Sequence, residues 1–253
     1  MVTAVITGAS SGLGKEYIDA ILAQYPTVDS FWLVARRKEL LREIAEAHPD
    51  KTIAAISLDL TKEESINVFE QLLKENNPEI KVLVNNAGFG KCEDFVSSNR
   101  PSQTEMVDLN CRALVGVTRL CLPYMLDDSL VINVSSIAAF APTPRMSVYC
   151  ATKSFVLALS KSLHDELRPR GIKVLAVCPG PMDTEFWKIA NVPEGKSRLI
   201  DKLPRVTVKD VAVGSLKAAK RGKQVYTNGL IYKLFHFLGK VLPHSFIMQF
   251  TEI

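Results

Sequence analysis

Short runs of consecutive apolar residues alternate along this chain with longer stretches in which apolar residues recur every three or four positions. The runs are TAVIT (3–7), SFWLVA (30–35), TIAAISL (52–58), KVLVNN (81–86), LVINVS (130–135), IKVLAVC (172–178) and QVYT (224–227). A strand covered on both faces has no polar side to alternate with, so such runs predict buried strands. ELLREIAEAH (39–48) and ESINVFEQLLKEN (64–76) carry apolar stripes at helical spacing instead. Buried strands separated by helices predict an α/β fold, a doubly wound parallel sheet of about seven strands with helices on both faces. No repeat, low-complexity tract or linker breaks the pattern, so one domain is expected over residues 1–253.

Composition narrows the function classes. With 47% hydrophobic residues in 253, the chain can bury a large core. Its net charge of +4 is dispersed among both signs, unlike the dense basic face of a nucleic-acid binder, so no nucleic-acid partner is expected. Cys92, Cys111, Cys121, Cys150 and Cys178 show no CxxC spacing, which argues against a zinc site or disulfide framework and for reduced thiols in a cytoplasmic protein. Cys150 reads as a small buried filler. His48, His164, His236 and His244 are scattered, so no metal is expected. The chain runs from Met1 straight into an apolar strand, giving the expectation of no secretory leader, and no 18-residue apolar span suggests a transmembrane helix.

The first run ends in TGASSGLGKEY (7–17). Gly8, Gly12 and Gly14 permit a tight turn and close approach to a pyrophosphate, and the next helix offers unpaired N–H groups to anionic oxygens. Strand, glycines and helix in this order predict a dinucleotide site over Gly8, Ser10, Ser11, Gly12, Leu13 and Gly14. A tight turn with close helix packing is the alternative reading. The second run ends in Ala35-Arg36-Arg37, where an acidic residue would suit the ribose hydroxyls of NAD. Arg36 and Arg37 can instead make forked, charge-assisted bonds to a 2′-phosphate, so NADP(H) is the preferred cofactor and NAD(H) the second. Solvated charges at a helix start are the competing reading. Asp59, followed by Leu60, can accept from an adenine amino group or cap the next helix, because LDLTKEE is also a capping sequence.

SVYCATKSF (147–155) sets Tyr149 four residues before Lys153, on one face if the stretch is helical. Alone, such a pair is usually surface packing. TGASSGLG (7–14), NNAG (85–88), INVSS (132–136), YCATK (149–153) and CPGPMDT (178–184) together resemble the short-chain dehydrogenase/reductase family in order and spacing, over residues 2–227. The resemblance implies a Rossmann-like fold, a nicotinamide cofactor and a Tyr-Lys pair assisted by a serine and an asparagine. These match Tyr149, Lys153, Ser136 and Asn110; Ser136, thirteen residues before the tyrosine, is selected over Ser135. Asn86, Ala87 and Gly88 match the cofactor-side loop, and Thr184, after Pro179-Gly180, matches the residue that bonds the nicotinamide carboxamide. Threonine in YCATK departs from the common YxASK but keeps the hydroxyl. The family commonly forms homodimers or homotetramers.

Reducing a ketone takes a hydride at carbon and a proton at oxygen, so a weak acid must stand beside the oxygen. An ordinary tyrosine, with a pKa near 10, seldom ionises at neutral pH. The Lys153 ammonium is expected to lower that value and to hold the nicotinamide ribose, Ser136 to bond the carbonyl oxygen, and Asn110 to hold a water linking Lys153 to solvent. An NADP(H)-sensing regulatory protein of the same fold is the alternative function, although such proteins typically lose the tyrosine or lysine present here. Residues of about 181–205 read as a substrate lid. Phe89, Phe140, Met146, Phe186 and Trp187 suggest an apolar pocket for a bulky ketone or secondary alcohol, such as a steroid or acyl-chain substrate. KAAKRGK (217–223) reads as a solvated helix C-terminus before Gly222. In the apolar tail from Gly229 to Phe250, Ile231, Leu234, Phe235 and Leu238 share a helical face. That face is expected to serve as lid or subunit interface, with peripheral membrane contact or closure of the domain's own core as alternatives.

Overall fold

The computed structural model describes residues 1–192 and 203–251. Each of the seven apolar runs forms a strand: β1 (Val2–Thr7), β2 (Ser30–Ala35), β3 (Thr52–Ser57), β4 (Glu79–Asn85), β5 (Met125–Val134), β6 (Lys173–Val177) and β7 (Val225–Tyr226). They pair in parallel as one sheet in the order β3-β2-β1-β4-β5-β6-β7. The inner strands β1 and β2 are buried almost throughout, whereas β3, at the sheet edge, is exposed at both ends. This is why β1 and β2 read as unbroken apolar runs.

The two faces of each strand feed two cores. Ala4 and Ile6 of β1, Phe31 and Leu33 of β2, and Val82 and Val84 of β4 face one side. There they meet α1 (Gly12–Gln24) through Tyr17, Ile18 and Ile21, α2 (Lys38–Glu46) through Leu41 and Ile44, and α8 (Val208–Lys220) through Val211 and Leu216. The alternate positions Val5, Trp32, Val34 and Leu83 face the other side. These pack on α3 (Glu63–Asn76) through Phe69 and Leu73 and on α5 (Leu114–Cys121) through Val117 and Cys121. The period of two lets one apolar strand serve both layers. Fully burying each large side chain contributes roughly 1.5–3 kcal/mol.

α4 (Arg100–Val107) runs into a turn of π-helix, Asp108–Ala113, before α5. α6 (Ser147–Glu166) lies beside β5 and β6, and α7 (Phe186–Ala190) and two apolar helices, α9 (Leu230–Val241) and α10 (His244–Thr251), complete the chain. The basic run closes α8 and turns at Gly222, whose φ of 68° is left-handed, as expected for a helix stop. No helix among the described residues is long and apolar enough to cross a membrane. The part of the expected lid at 193–202 lies outside the described residues.

Sheet order reverses between β1 and β4, and the loop from β1 into α1 sits at that reversal, where ligands of open α/β sheets bind. Gly8 and Gly12 adopt left-handed φ values of 65° and 53°. A Cβ on Gly14 would press directly on the Gly8 carbonyl oxygen and lie 2.5 Å from Asn86 Nδ2. Gly14→Ala is therefore expected to cost about 2 kcal/mol of stability through this backbone overpacking. The melting temperature should fall by roughly 4–8 °C, as thermal unfolding would show.

Candidate active site

The loops that follow β1, β2, β3, β4, β5 and β6 open into one cavity of about 580 Å3. The glycine loop is held in place from below. Thr7 Oγ1 accepts from the N–H groups of Asn86 and Ala87, both at 3.1 Å, and Asn86 Nδ2 donates to the carbonyls of Thr7 (3.2 Å) and Gly8 (3.0 Å). Thr7 is a positioning residue that motif reading left unassigned. Ser11 stands at the N-cap of α1 without a capping bond from its side chain, leaving the first-turn N–H groups open toward the cavity. Ser10, Gly12, Leu13, Arg36, Arg37, Asp59, Leu60, Ala87 and Gly88 line the same end. The charge, the open helix terminus and the glycine cradle fit a dinucleotide carrying an extra phosphate. Asp59 does not cap α3, whose N-cap is Lys62; its Oδ1 accepts from Thr61 N (3.1 Å) and Thr61 Oγ1 (2.8 Å) in the turn that precedes the helix.

At the other end α6 supplies Tyr149 and Lys153, one turn apart and both buried. Lys153 Nζ donates to the Val134 carbonyl at 2.9 Å and lies 5.7 Å from the Tyr149 ring centroid. The two adjacent serines have different jobs. Ser135 Oγ is turned into α6, donating to the Lys153 carbonyl at 2.7 Å, while Ser136 Oγ accepts from Ala138 N (3.1 Å) and stands within bonding reach of the Tyr149 phenol. Asn110, in the π-helical turn, does not line the cavity. Its Nδ2 donates to the Phe89 carbonyl (2.9 Å) and Thr152 Oγ1 (3.0 Å), and its Oδ1 accepts from Phe89 N (3.0 Å). It therefore fixes the cavity-lining loop at Phe89 and keeps one oxygen lone pair for a further donor. A buried chain of amides below the site was also missed by the motifs: Asn85 Nδ2 bonds Asn133 Oδ1 at 2.8 Å, and Asn133 Nδ2 bonds Ser160 Oγ at 3.0 Å.

Burial dominates the protonation of this pair. It pushes the Lys153 ammonium down to about 8. It pushes the Tyr149 phenol well above its ordinary value, with Ser136 pulling weakly the other way. The expected lowering of Tyr149 by Lys153 is thus reversed in the free protein, because desolvation disfavours a buried phenolate more than the neighbouring group stabilises it. Tyr149 stays protonated across neutral pH.

Beyond Tyr149 the cavity is walled by Phe89, Met146, Phe186 and Trp187, and by Ile231, Leu234, Phe235 and Leu238 of α9. Phe186 packs on the Tyr149 ring with centroids 5.4 Å apart. Phe140 lies behind, stacked on His236 at 4.3 Å, where burial, with Lys240 and Lys161, pushes the imidazole down to about 4 and keeps it neutral. The greasy face expected on α9 lines the cavity, although Ile231 and Leu234 on it remain exposed, as do Leu230, Phe237, Val241, Phe246 and Phe250. Pro179 and Gly180 bring α9 close, since a Cβ on Gly180 would strike the ring of Tyr232. Thr184 and Glu185 reach back over the glycine loop, and Glu185 bonds Arg37. No sequence signal marked Glu185, whose partner is 148 residues away. No cluster able to hold a metal ion occurs among the described residues.

Residues 2–194 match the family model for short chain dehydrogenases. The solved short-chain dehydrogenase from Sphingobium yanoikuyae, in complex with NADPH, is 30% identical with a TM-score of 0.80, covering 98% of this chain and 96% of that one. The bulky-bulky ketone specific alcohol dehydrogenase from Comamonas testosteroni is 29% identical with a TM-score of 0.72, covering 98% and 94%. The very-long-chain 3-oxoacyl-CoA reductase of Anas platyrhynchos is 32% identical over 258 residues, covering 97% of this chain and 77% of that one. The chain belongs to the short-chain dehydrogenase family and is an oxidoreductase of the NAD(P)-dependent class.

A buried ammonium with one carbonyl partner burdens the fold. Lys153 titrates near 8 in the folded chain against 10.5 unfolded, a difference on the order of 3 kcal/mol at neutral pH. Lys153→Met is expected to raise the melting temperature at pH 7 by roughly 6–12 °C. Between pH 8 and 10.5 the unfolded chain holds the proton that the folded chain has lost, so rising pH relatively stabilises the wild type. The advantage of the variant should shrink through that window; paired melts at pH 7 and pH 10 measure it.

Proposed function

We propose that this protein is an NADP(H)-dependent oxidoreductase interconverting a bulky apolar ketone, such as a steroid or acyl-chain ketone, and its secondary alcohol. The observation that carries the substrate class is the cavity wall beyond Tyr149, where no charged side chain occurs among the described residues. A carboxylate or other charged group would lose its hydration there without gaining a charged partner. The relative named for bulky ketones matches nearly the whole chain, which supports the same reading.

NADPH would supply the hydride, held by the glycine loop, Arg36, Arg37, Asp59 and the Asn86–Gly88 segment. Tyr149 gives its phenolic proton to the carbonyl oxygen as the carbon takes up the hydride, and Ser136 bonds that oxygen as charge gathers on it. A phenol kept protonated by burial is in the right state for this step. Lys153 holds the nicotinamide ribose and, with a pKa of about 8, can return a proton to the tyrosine near neutral pH. Asn110 supports that return by holding the Phe89 loop and offering its free lone pair to a water. Thr184 would hold the carboxamide. The same reading carries a homo-oligomer, with the outward apolar row of α9 and α10 as the surface that a second copy covers.

NADPH oxidation against a panel of steroid, aliphatic and aromatic ketones tests the proposal. Reduction of an apolar ketone is expected, with kcat/KM reduced about 10²–10⁴-fold in Tyr149→Phe. Tight NADPH binding without turnover of any ketone, or of any alcohol with NADP⁺, would instead establish the sensor.

A further inference from the structure

Arg37 does not project freely into solvent. Nη1 donates to Glu185 Oε1 at 3.1 Å and Nη2 to Glu185 Oε2 at 2.9 Å, a fork on a carboxylate. Nη2 also reaches Ser11 Oγ at 2.7 Å, and Ser10 Oγ accepts from Nε and Nη2 at 3.3 and 3.2 Å. Glu185 and Ser11 share a bond as well, and these contacts, Arg37 first, hold the Glu185 carboxyl below the usual carboxylate range. The donors come from the loop after β1 and the start of α2, while the carboxylate comes from the segment after β6. Thr184 lies beside them, 3.4 Å from where a Cβ on Gly12 would stand. The segment 184–185 therefore bridges the mouth of the cofactor end.

A guanidinium fork flanked by two hydroxyls is a binding set for an oxyanion, and a phosphate would use the same donors in the same geometry. Building on the NADP(H) reading above, we propose that Glu185 is an internal occupant of the 2′-phosphate subsite, which the cofactor must displace. A carboxylate and a phosphate dianion cannot share Arg37, since their like charges repel and the fork serves one oxyanion at a time. A cofactor lacking the 2′-phosphate has no need to break the pair. Glu185 thereby narrows the preference for NADP(H) that Arg37 creates. The two side chains are 44% and 52% exposed, so the ion pair is weak and the expected effect is a severalfold change in affinity.

Binding of 2′,5′-ADP and of 5′-ADP, measured by calorimetry on the full chain, tests this without turnover. Glu185→Gln keeps the shape and removes the charge. It is expected to tighten 2′,5′-ADP by about threefold to fivefold and to change 5′-ADP by less than about twofold. Arg37→Gln should weaken 2′,5′-ADP selectively. If Glu185→Gln weakens 2′,5′-ADP or leaves it unchanged while Arg37→Gln lowers its affinity, the internal occupant is overturned and the NADP(H) reading stands. Equal tightening of both nucleotides would overturn it too, showing general charge relief at the mouth. If Arg37→Gln leaves the ratio of the two affinities unchanged, the phosphate subsite is elsewhere and both readings fall. Melting curves matched to wild type establish that each variant is folded.

Discussion

A parallel sheet points every strand the same way, so every strand's carboxyl end opens on one edge, and this site is built from the loops that leave those ends. The glycine loop continues from Thr7, the arginines from Ala35, Asp59 from the end of β3 at Ser57, Asn86 from Asn85, the serines from Val134, and Pro179 from the end of β6 at Val177. Register is therefore a functional quantity. Asn85 pairs with Asn133 across β4 and β5, and their amides bond directly at 2.8 Å. Through Thr118 and Ser160 the same chain reaches α5 and α6. A slip of one residue would turn these amides into the wrong layer and carry the attached loops with them. The apolar faces hold the sheet together, and this buried polar chain, which leaves only Asn85 Oδ1 of the two strand amides without a partner, ties the strand ends in one alignment.

The cost of the site is concentrated in α6. Tyr149 and Lys153 both face the interior, and burial moves both toward their neutral forms. For Tyr149 this preserves a proton to give. For Lys153 it brings the ammonium near the range where it can exchange protons at neutral pH. A surface pair at the same spacing would have kept ordinary values and done neither. The helix surrenders stability at Lys153, and the large two-layer core makes that tolerable.

Most of the fold was legible because its signal is local. Seven apolar runs became seven strands, and the stripes at 39–48 and 64–76 became α2 and α3 within a residue or two. The glycine loop, Ser136, Tyr149 and Lys153 were legible because each belongs to a short segment whose spacing carries its geometry. What escaped depends on residues far apart in sequence. The protonation of Tyr149 arises from burial, which motif spacing does not encode. Asn110 was expected to hold a water beside Lys153, and what the sequence did not show is that the same amide fastens Phe89, because the π-helical turn presents it to that loop. Glu185 meets Arg37 only once β6 and β2 lie in one sheet. The amphipathic tail showed its greasy face in sequence, but not that the face would line the cavity.

The short helix α7 shows how such distant contacts divide labour. Its C-terminal end is pinned by Cys92 N–H donating to the Ala190 carbonyl at 2.7 Å, and Cys92 is buried. Lys91 Nζ adds a bond to the Ile189 carbonyl at 2.7 Å. Opening there would leave a buried backbone donor without a partner, at about 1–3 kcal/mol. Its N-terminal end is held by the Arg37–Glu185 pair, which is exposed and worth about 1 kcal/mol or less. Trp187 Nε1 adds a bond to the Met182 carbonyl at 2.6 Å at this end, which adjoins the cofactor end of the cavity. Phe186, next to Glu185, packs on Tyr149, so a shift at that end reaches the Tyr149 ring through a single aromatic contact. Glu185 and Phe186 thus tie the cofactor end of the cavity to the Tyr149 end through one short helix start.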